Sequence, residues 1–173
     1  MAQRRFEKKP LYRRVNRTAR FAPCGHGGEY RWQRNTKDEK ASDVLTAGMG
    51  PKHHHGLDYT PLFRFLLSKV GEDWDMVHSE AVSRLDREDP VYWLVALQPS
   101  DARDVVRIGE SSYYSGLWID ADNRLQRVAP QLTEHDMRPN CSCCTHTFNG
   151  KRFSLPFDPD HSHGLYRKLR GIS

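Results

Sequence analysis

The sequence predicts an α+β domain, and three observations predict it. Two neighbouring segments near the middle carry apolar residues at helical spacing, short β-branched and aromatic runs separated by turn residues follow them, and no internal repeat interrupts the pattern. The expected architecture is a two-helix hairpin packed on a small, mostly antiparallel sheet, with a basic N-terminal arm and a zinc-knuckle-like cysteine cluster. At 173 residues the chain can bury a real core and still carry an extension. Its charged content of 28% and mean hydropathy of -0.80 are polar for a compact domain, so part of the length is expected to be arm or tail. The expected division is a basic arm over residues 1–22, disordered when free, a single domain over 23–157, and a flexible basic tail over 158–173.

The arm comes first. It carries Arg4, Arg5, Lys8, Lys9, Arg13, Arg14, Arg17 and Arg20, interleaved with Phe6, Tyr12 and Phe21, and shows neither a helical nor a strand period. Residues 1–40 hold 12 Lys and Arg against 4 Asp and Glu, a net of +8, whereas the remainder holds 15 against 18, a net of -3. A basic head on a mildly acidic body localises any attraction to polyanions. Arginines pair with phosphates and aromatics offer stacking faces, so the arm is expected to order on nucleic acid or a ribonucleoprotein, with Arg13, Arg14, Arg17 and Arg20 as the phosphate contacts. The plainer reading, a solvated arm, describes the same residues in the free protein.

Between the arm and the helices lies Pro23-Cys24-Gly25-His26-Gly27-Gly28, a turn-forming stretch, and then a polar segment over 35–51 that reads as a linker. His53, His54 and His55 follow. Adjacent histidines cannot all face one ion, and a solvated loop is the ordinary reading.

The first helix is expected to open at Thr60 as cap with Pro61 in its first turn, and Leu62, Phe65, Leu66 and Val70 make its apolar stripe up to Gly71. The second is expected from Asp73, burying Trp74, Val77, Ala81 and Leu85, with His78 beside that stripe as a satisfied histidine. The run from Pro61 to Glu80 (with Arg64, Leu66, Ser68, Val70-Gly71, Trp74-Asp75, Val77, Ser79-Glu80) resembles a pattern in a family of small bacterial proteins: an arginine and leucines, then Ser-x-Val-Gly, then Trp-Asp-x-Val-x-Ser-Glu. The resemblance covers the two helices, implies a bacterial origin, and brings no activity with it.

After Asp89-Pro90, the continuous apolar run over 91–97 reads as a central strand, and 105–108 as a weaker one. The segments 116–119 and 125–128 flank Asp120-Ala121-Asp122-Asn123, a hairpin turn. Asn149-Gly150 signals a second hairpin over 147–153. The hydroxyl-rich stretch 110–116 reads as a loop between strands.

The chemistry concentrates in Asn140-Cys141-Ser142-Cys143-Cys144-Thr145-His146, which holds three of the four cysteines. Without a secretory signal these read as thiols of a reduced, cytoplasmic protein, where a metal is the better expectation than a disulfide. Cys141 and Cys144 have the C-x2-C spacing that aims both sulfurs at one ion, and Cys24 and His26 could complete a tetrahedral zinc set, stapling the arm to the body. Cys143 and His146 are the alternates. In an extended strand Cys141 and Cys143 face away from Cys144 and His146, so all of them serve one ion only if the backbone bends. A thiolate-rich set is a closed, structural one.

Several classes are excluded by pattern. There is no apolar run long enough to span a membrane, no phosphate-binding glycine loop after a strand, no His-Glu-x2-His and no deaminase-like His-x-Glu. The leading expectation is a non-enzymatic zinc-binding protein that binds nucleic acid through its arm. A metal-dependent nuclease or hydrolase using His54, His55 and Asp58 is the enzymatic alternative, and an immunity or assembly module docking through the acidic body is the third.

Overall fold

The computed structural model describes residues 8–14, 49, 57–108 and 111–161. Helix α1 (Thr60–Ser68) and helix α2 (Trp74–Val82) form the expected hairpin. In α1, Leu62, Phe63 and Leu66 are buried. Thr60 does not cap it: Tyr59 stands at the N-cap with no side-chain cap bond, and Asp58 before it accepts from the Thr60 N–H at 2.9 Å and the Thr60 hydroxyl at 2.6 Å. Pro61 sits in the first turn as expected. Gly71 reverses the chain at φ +92°, a left-handed angle that glycine adopts without a Cβ penalty. Asp73 then caps α2 by accepting from the Met76 N–H at 3.1 Å, and Trp74, Val77 and Ala81 turn inward.

The apolar run expected as a central strand is instead a 3-10 helix, Asp89–Trp93, followed by a two-residue strand, β3 (Val95–Ala96). Val91, Trp93, Leu94, Val95 and Ala96 are all buried, so hydrophobicity gave no period to separate the two conformations. Pro90 in the first turn, with its fixed φ, decides for the helical turn.

The strands form three small sheets rather than one. In the first, β1 (Arg13–Arg14) pairs antiparallel with β2 (Leu57–Asp58). The second has the order β3-β6-β7, with β6 (Leu117–Ile119) parallel to β3 and antiparallel to β7 (Leu125–Arg127). Asp120 shapes the β6–β7 hairpin by accepting from the Asp122 and Arg124 amides. The third has the order β4-β5-β8-β9, built from β4 (Val105–Ile108), β5 (Ser112–Ser115), β8 (Thr147–Phe148) and β9 (Lys151–Arg152). The expected Asn149-Gly150 turn joins β8 to β9, with φ of 50° and 83° at its two positions. Most of the hydroxyl-rich stretch read as a loop is strand β5, in which Tyr113, Tyr114 and Ser115 are buried. Asn149 holds Ser115 on both sides, accepting from its N–H and donating to its Oγ, both at 2.9 Å.

Two cores result. The larger gathers the helices, β3, β6 and β7 around Phe63, Leu66, Val77, Leu94 and Leu117. The smaller, made by Tyr113, Ala129, Leu132, Met137, Phe148 and Phe153, lies under the cysteine segment. Residues 8–14 of the basic arm lie on the larger one: Leu11 is 3% exposed and its N–H donates to the Arg84 carbonyl. Met49, within the stretch read as a linker, is also buried there and accepts from the Arg103 N–H. Among the described residues of the C-terminal stretch, Asp158 pairs with Arg138 at 3.2 Å. No helix among the described residues is long and apolar enough to cross a membrane.

Candidate metal centre

Residues 137–146 leave the smaller core and return to it, and the return is fixed by strand pairing. The Thr147 N–H donates to the Ser111 carbonyl, and the Phe153 N–H donates to the His146 carbonyl at 3.0 Å. His146 is thereby pressed between aromatic rings, with Tyr113 stacked at 6.2 Å and Phe153 at 5.6 Å, and is 2% exposed. Upstream, three successive bends at Ser142, Cys143 and Cys144 interrupt the extended backbone. The bends remove the alternation that would have turned Cys143 away.

As a result the Sγ atoms of Cys141, Cys143 and Cys144 all lie within 4.8 Å of one another. Cys143 is 3.4 Å from Cys141 and 3.6 Å from Cys144, and His146 Nε2 is 3.8 Å from Cys141 Sγ. In a tetrahedral zinc centre with Zn–S bonds of about 2.3 Å, neighbouring sulfurs stand about 3.8 Å apart. The three sulfurs lie within reach of that spacing, two of their separations a little shorter, and His146 Nε2 stands beside one of them, Cys141. His146 Nδ1 faces the Cys144 carbonyl at 3.0 Å, and as N–H donor there it leaves the Nε2 lone pair for a ligand. Asn140 Oδ1, an acceptor, lies against Nε2, so the lone pair is open to a ligand only when the Asn140 side chain turns away.

The electrostatics agree with a cation-seeking set. Burial pushes the His146 imidazole below its ordinary value, opposed by the Cys144 carbonyl and helped by nearby Arg107, which favours the neutral form. Burial alone raises the Cys141 thiol, but hydrogen bonds from Cys143 and Cys144 outweigh it and bring it below its ordinary value. The same hydrogen bonds leave Cys144 pushed up to about 12. Cys141 is thus easier to ionise than an ordinary thiol and Cys144 harder, an opposition that a shared dication would relieve.

Cys141 is buried and Cys143 exposed. Beside the cluster runs a shallow depression of about 220 Å³, walled by Arg152, Phe153, Leu155 and Phe157.

The other expected site residues separate into two groups. Cys24, His26, Arg17, Arg20, His53, His54 and His55 lie outside the described residues. Arg13 and Arg14 are exposed on β1. Asp58, the expected partner of the histidines in an enzymatic site, has both oxygens engaged: Oδ1 takes the Thr60 bonds and Oδ2 the Arg13 guanidinium. Burial raises the Asp58 carboxyl, yet the Thr60 and Arg13 hydrogen bonds outweigh it and hold it below its ordinary value of 3.8. A carboxyl lowered in the folded state contributes stability above its unfolded pKa and loses that contribution as pH falls through the lowered folded value. Asp58→Asn, which can keep the Thr60 bonds but loses the charge facing Arg13, is therefore expected to cost less than about 1 kcal/mol at neutral pH. It should also flatten the acid limb of an unfolding-midpoint profile below about pH 4, measured by circular dichroism.

His78 is satisfied, as expected, by Glu88 at 3.0 Å and Tyr92 at 3.1 Å, against the Trp74 ring. Sequence reasoning missed Arg64 and Arg84, which share a groove with the arm. Only their partners in the fold, not their spacing, distinguish them from ordinary helix-surface arginines. Comparison with known protein families, with curated proteins and with solved structures finds no match.

Proposed function

We propose that the protein holds one structural zinc ion at Cys141, Cys143, Cys144 and His146, and that the body completed in this way carries a basic arm that binds nucleic acid or a ribonucleoprotein without catalysis. The observation that carries the zinc reading is the clustering of three Sγ atoms within 4.8 Å, with His146 Nε2 at a tetrahedral edge from Cys141. A set dominated by thiolates is characteristic of closed centres, in which the ion contributes folding energy and keeps no open position for substrate water. Bound there, zinc would supply a crosslink for a segment that has short strands and a small core. The engagement of both Asp58 oxygens supports a non-enzymatic reading over a nuclease built on that residue.

Elemental analysis of the untagged protein tests the zinc. About one zinc per chain, replaceable by cobalt(II) with the visible spectrum of a tetrahedral thiolate site, is the expected result. No stoichiometric metal in protein purified without chelators would sink it.

The nucleic-acid reading rests on the separation of a +8 head from a -3 body. Because Leu11 is buried, truncating the arm would also damage the core, and neutralising charges is the cleaner test. Arg14→Gln, Arg17→Gln and Arg20→Gln together are expected to weaken oligonucleotide binding at least tenfold at low salt, with little change in melting temperature. Unchanged affinity would remove the arm from the interface.

A further inference from the structure

Where the arm crosses the helices it leaves an open groove of about 500 Å³, lined by Lys9 and Arg13 from the arm, Arg64, Phe65 and Ser68 from α1, and Arg84 just beyond the end of α2. The geometry points to this groove as a seat for the phosphodiester backbone of nucleic acid, read through its phosphates and not through its bases. The inference rests on the nucleic-acid reading of the arm and adds residues of the body to it.

The charge count is unequal. Four cations line the groove, and the carboxylates that pair with them are Asp58, held by Arg13, and Glu80, held by Arg84 at 2.9 Å. Lys9 and Arg64 are exposed and pair with no carboxylate among the described residues. Arg84 is committed to construction: its Nε donates to the Lys9 carbonyl at 2.9 Å and its guanidinium lies over the Phe65 ring at 5.1 Å. It fixes the arm at the distance from α1 that makes the groove. Arg13, with 64% of its side chain exposed, keeps donors for a second anion beyond Asp58. On α1, Arg64 stands between Thr60 and Ser68 at four-residue spacing, a polar row with one cation beside the apolar Pro61 and Phe65.

The aromatic rings argue against base stacking. Phe65 carries Arg84 at 5.1 Å and Lys69 at 5.8 Å, and Tyr12, a stacking candidate from the sequence, packs on Tyr59 at 6.3 Å. With those rings occupied, the groove offers point charges and forked donors, which follow phosphates and ignore sequence. An acidic protein surface would meet the same charges but would lack the regular phosphate spacing.

The test is fluorescence anisotropy of a labelled mixed-sequence oligonucleotide and its scrambled version, at several salt concentrations, with wild type, Lys9→Gln/Arg64→Gln, and Arg17→Gln/Arg20→Gln. Both groove residues are exposed, so the first variant should melt as wild type does. It is expected to bind at least tenfold more weakly at low salt, with a log–log salt slope shallower by about 1.5, as the loss of two phosphate contacts requires. Scrambling is expected to change nothing. Wild type that binds while the groove variant binds equally, with the same slope, would overturn the groove and leave the arm reading standing, most clearly if Arg17→Gln/Arg20→Gln binds weakly. Wild type that binds neither oligonucleotide overturns both.

Discussion

Serine at both Cys141 and Cys144 is expected to abolish zinc binding and to release the segment over 137–153 from the body. Apparent zinc-binding free energies of thiolate–imidazole sites reach about 10–16 kcal/mol, comparable to the whole stability of an ordinary domain. The loss should nevertheless be regional. The larger core, built on Phe63, Leu66, Val77 and Leu117, does not include the cysteine segment, whereas the smaller core has only Tyr113, Ala129, Leu132, Met137, Phe148 and Phe153 to hold it. Hydrogen exchange of the double variant should show protection lost at Thr147 and Phe153 and retained in α1 and α2. Chelation of the wild type should reproduce the pattern.

Single substitutions then choose the ligand set. Loss of metal in Cys143→Ser and in His146→Asn identifies the local cluster as the complete site. Full zinc retention in both, with loss in Cys24→Ser, would instead return the arm-to-body staple made by Cys24, His26, Cys141 and Cys144.

Gly116→Ala is expected to destabilise the protein by about 4 kcal/mol, at the upper end of single-residue effects. A Cβ at this position would stand 1.7 Å from the Arg103 carbonyl oxygen and 2.9 Å from both the Arg103 carbonyl carbon and Met49 Cε. The methionine end can swing aside, but the backbone cannot. Gly116 is the corner at which the chain passes from β5 in one sheet to β6 in the next, with its N–H bonded to the Asp104 carbonyl at 3.0 Å and its own carbonyl accepting from the Val128 N–H at 2.9 Å. Pushing residue 103 away breaks the register of both sheets at once. Urea denaturation followed by tryptophan fluorescence measures it. A loss under 1 kcal/mol would mean that residues 103–104 do not pack against this corner.

Gly116 also shows where sequence reading stops. In the sequence it is one glycine at the start of an apolar run, with no neighbouring signal that two sheets meet there. Similarly, residues 91–97 could not be assigned by pattern, because a segment buried on every side has no period to read. Pro90 was the only local clue to the 3-10 turn. The bends at 142–144 had no strong signal either, and an extended reading turned Cys143 away from Cys144.

What the sequence determined by itself is whatever one segment dictates to itself. The stripes at 62–66 and 74–81 specify both helices because burial of one face requires that spacing, and Asn149-Gly150 specifies its hairpin because few residue pairs accept positive φ in succession. The density of cysteines at 141–144 likewise marks a metal-type cluster in the sequence alone. What the tertiary structure alone decided is whatever depends on segments distant in the chain. It divided the strands among three sheets, brought His146 between Tyr113 and Phe153, and set Lys9 of the arm beside Arg64 and Arg84 to form a groove. Those contacts depend on how two separately favourable surfaces meet, and no periodicity within either segment encodes that meeting.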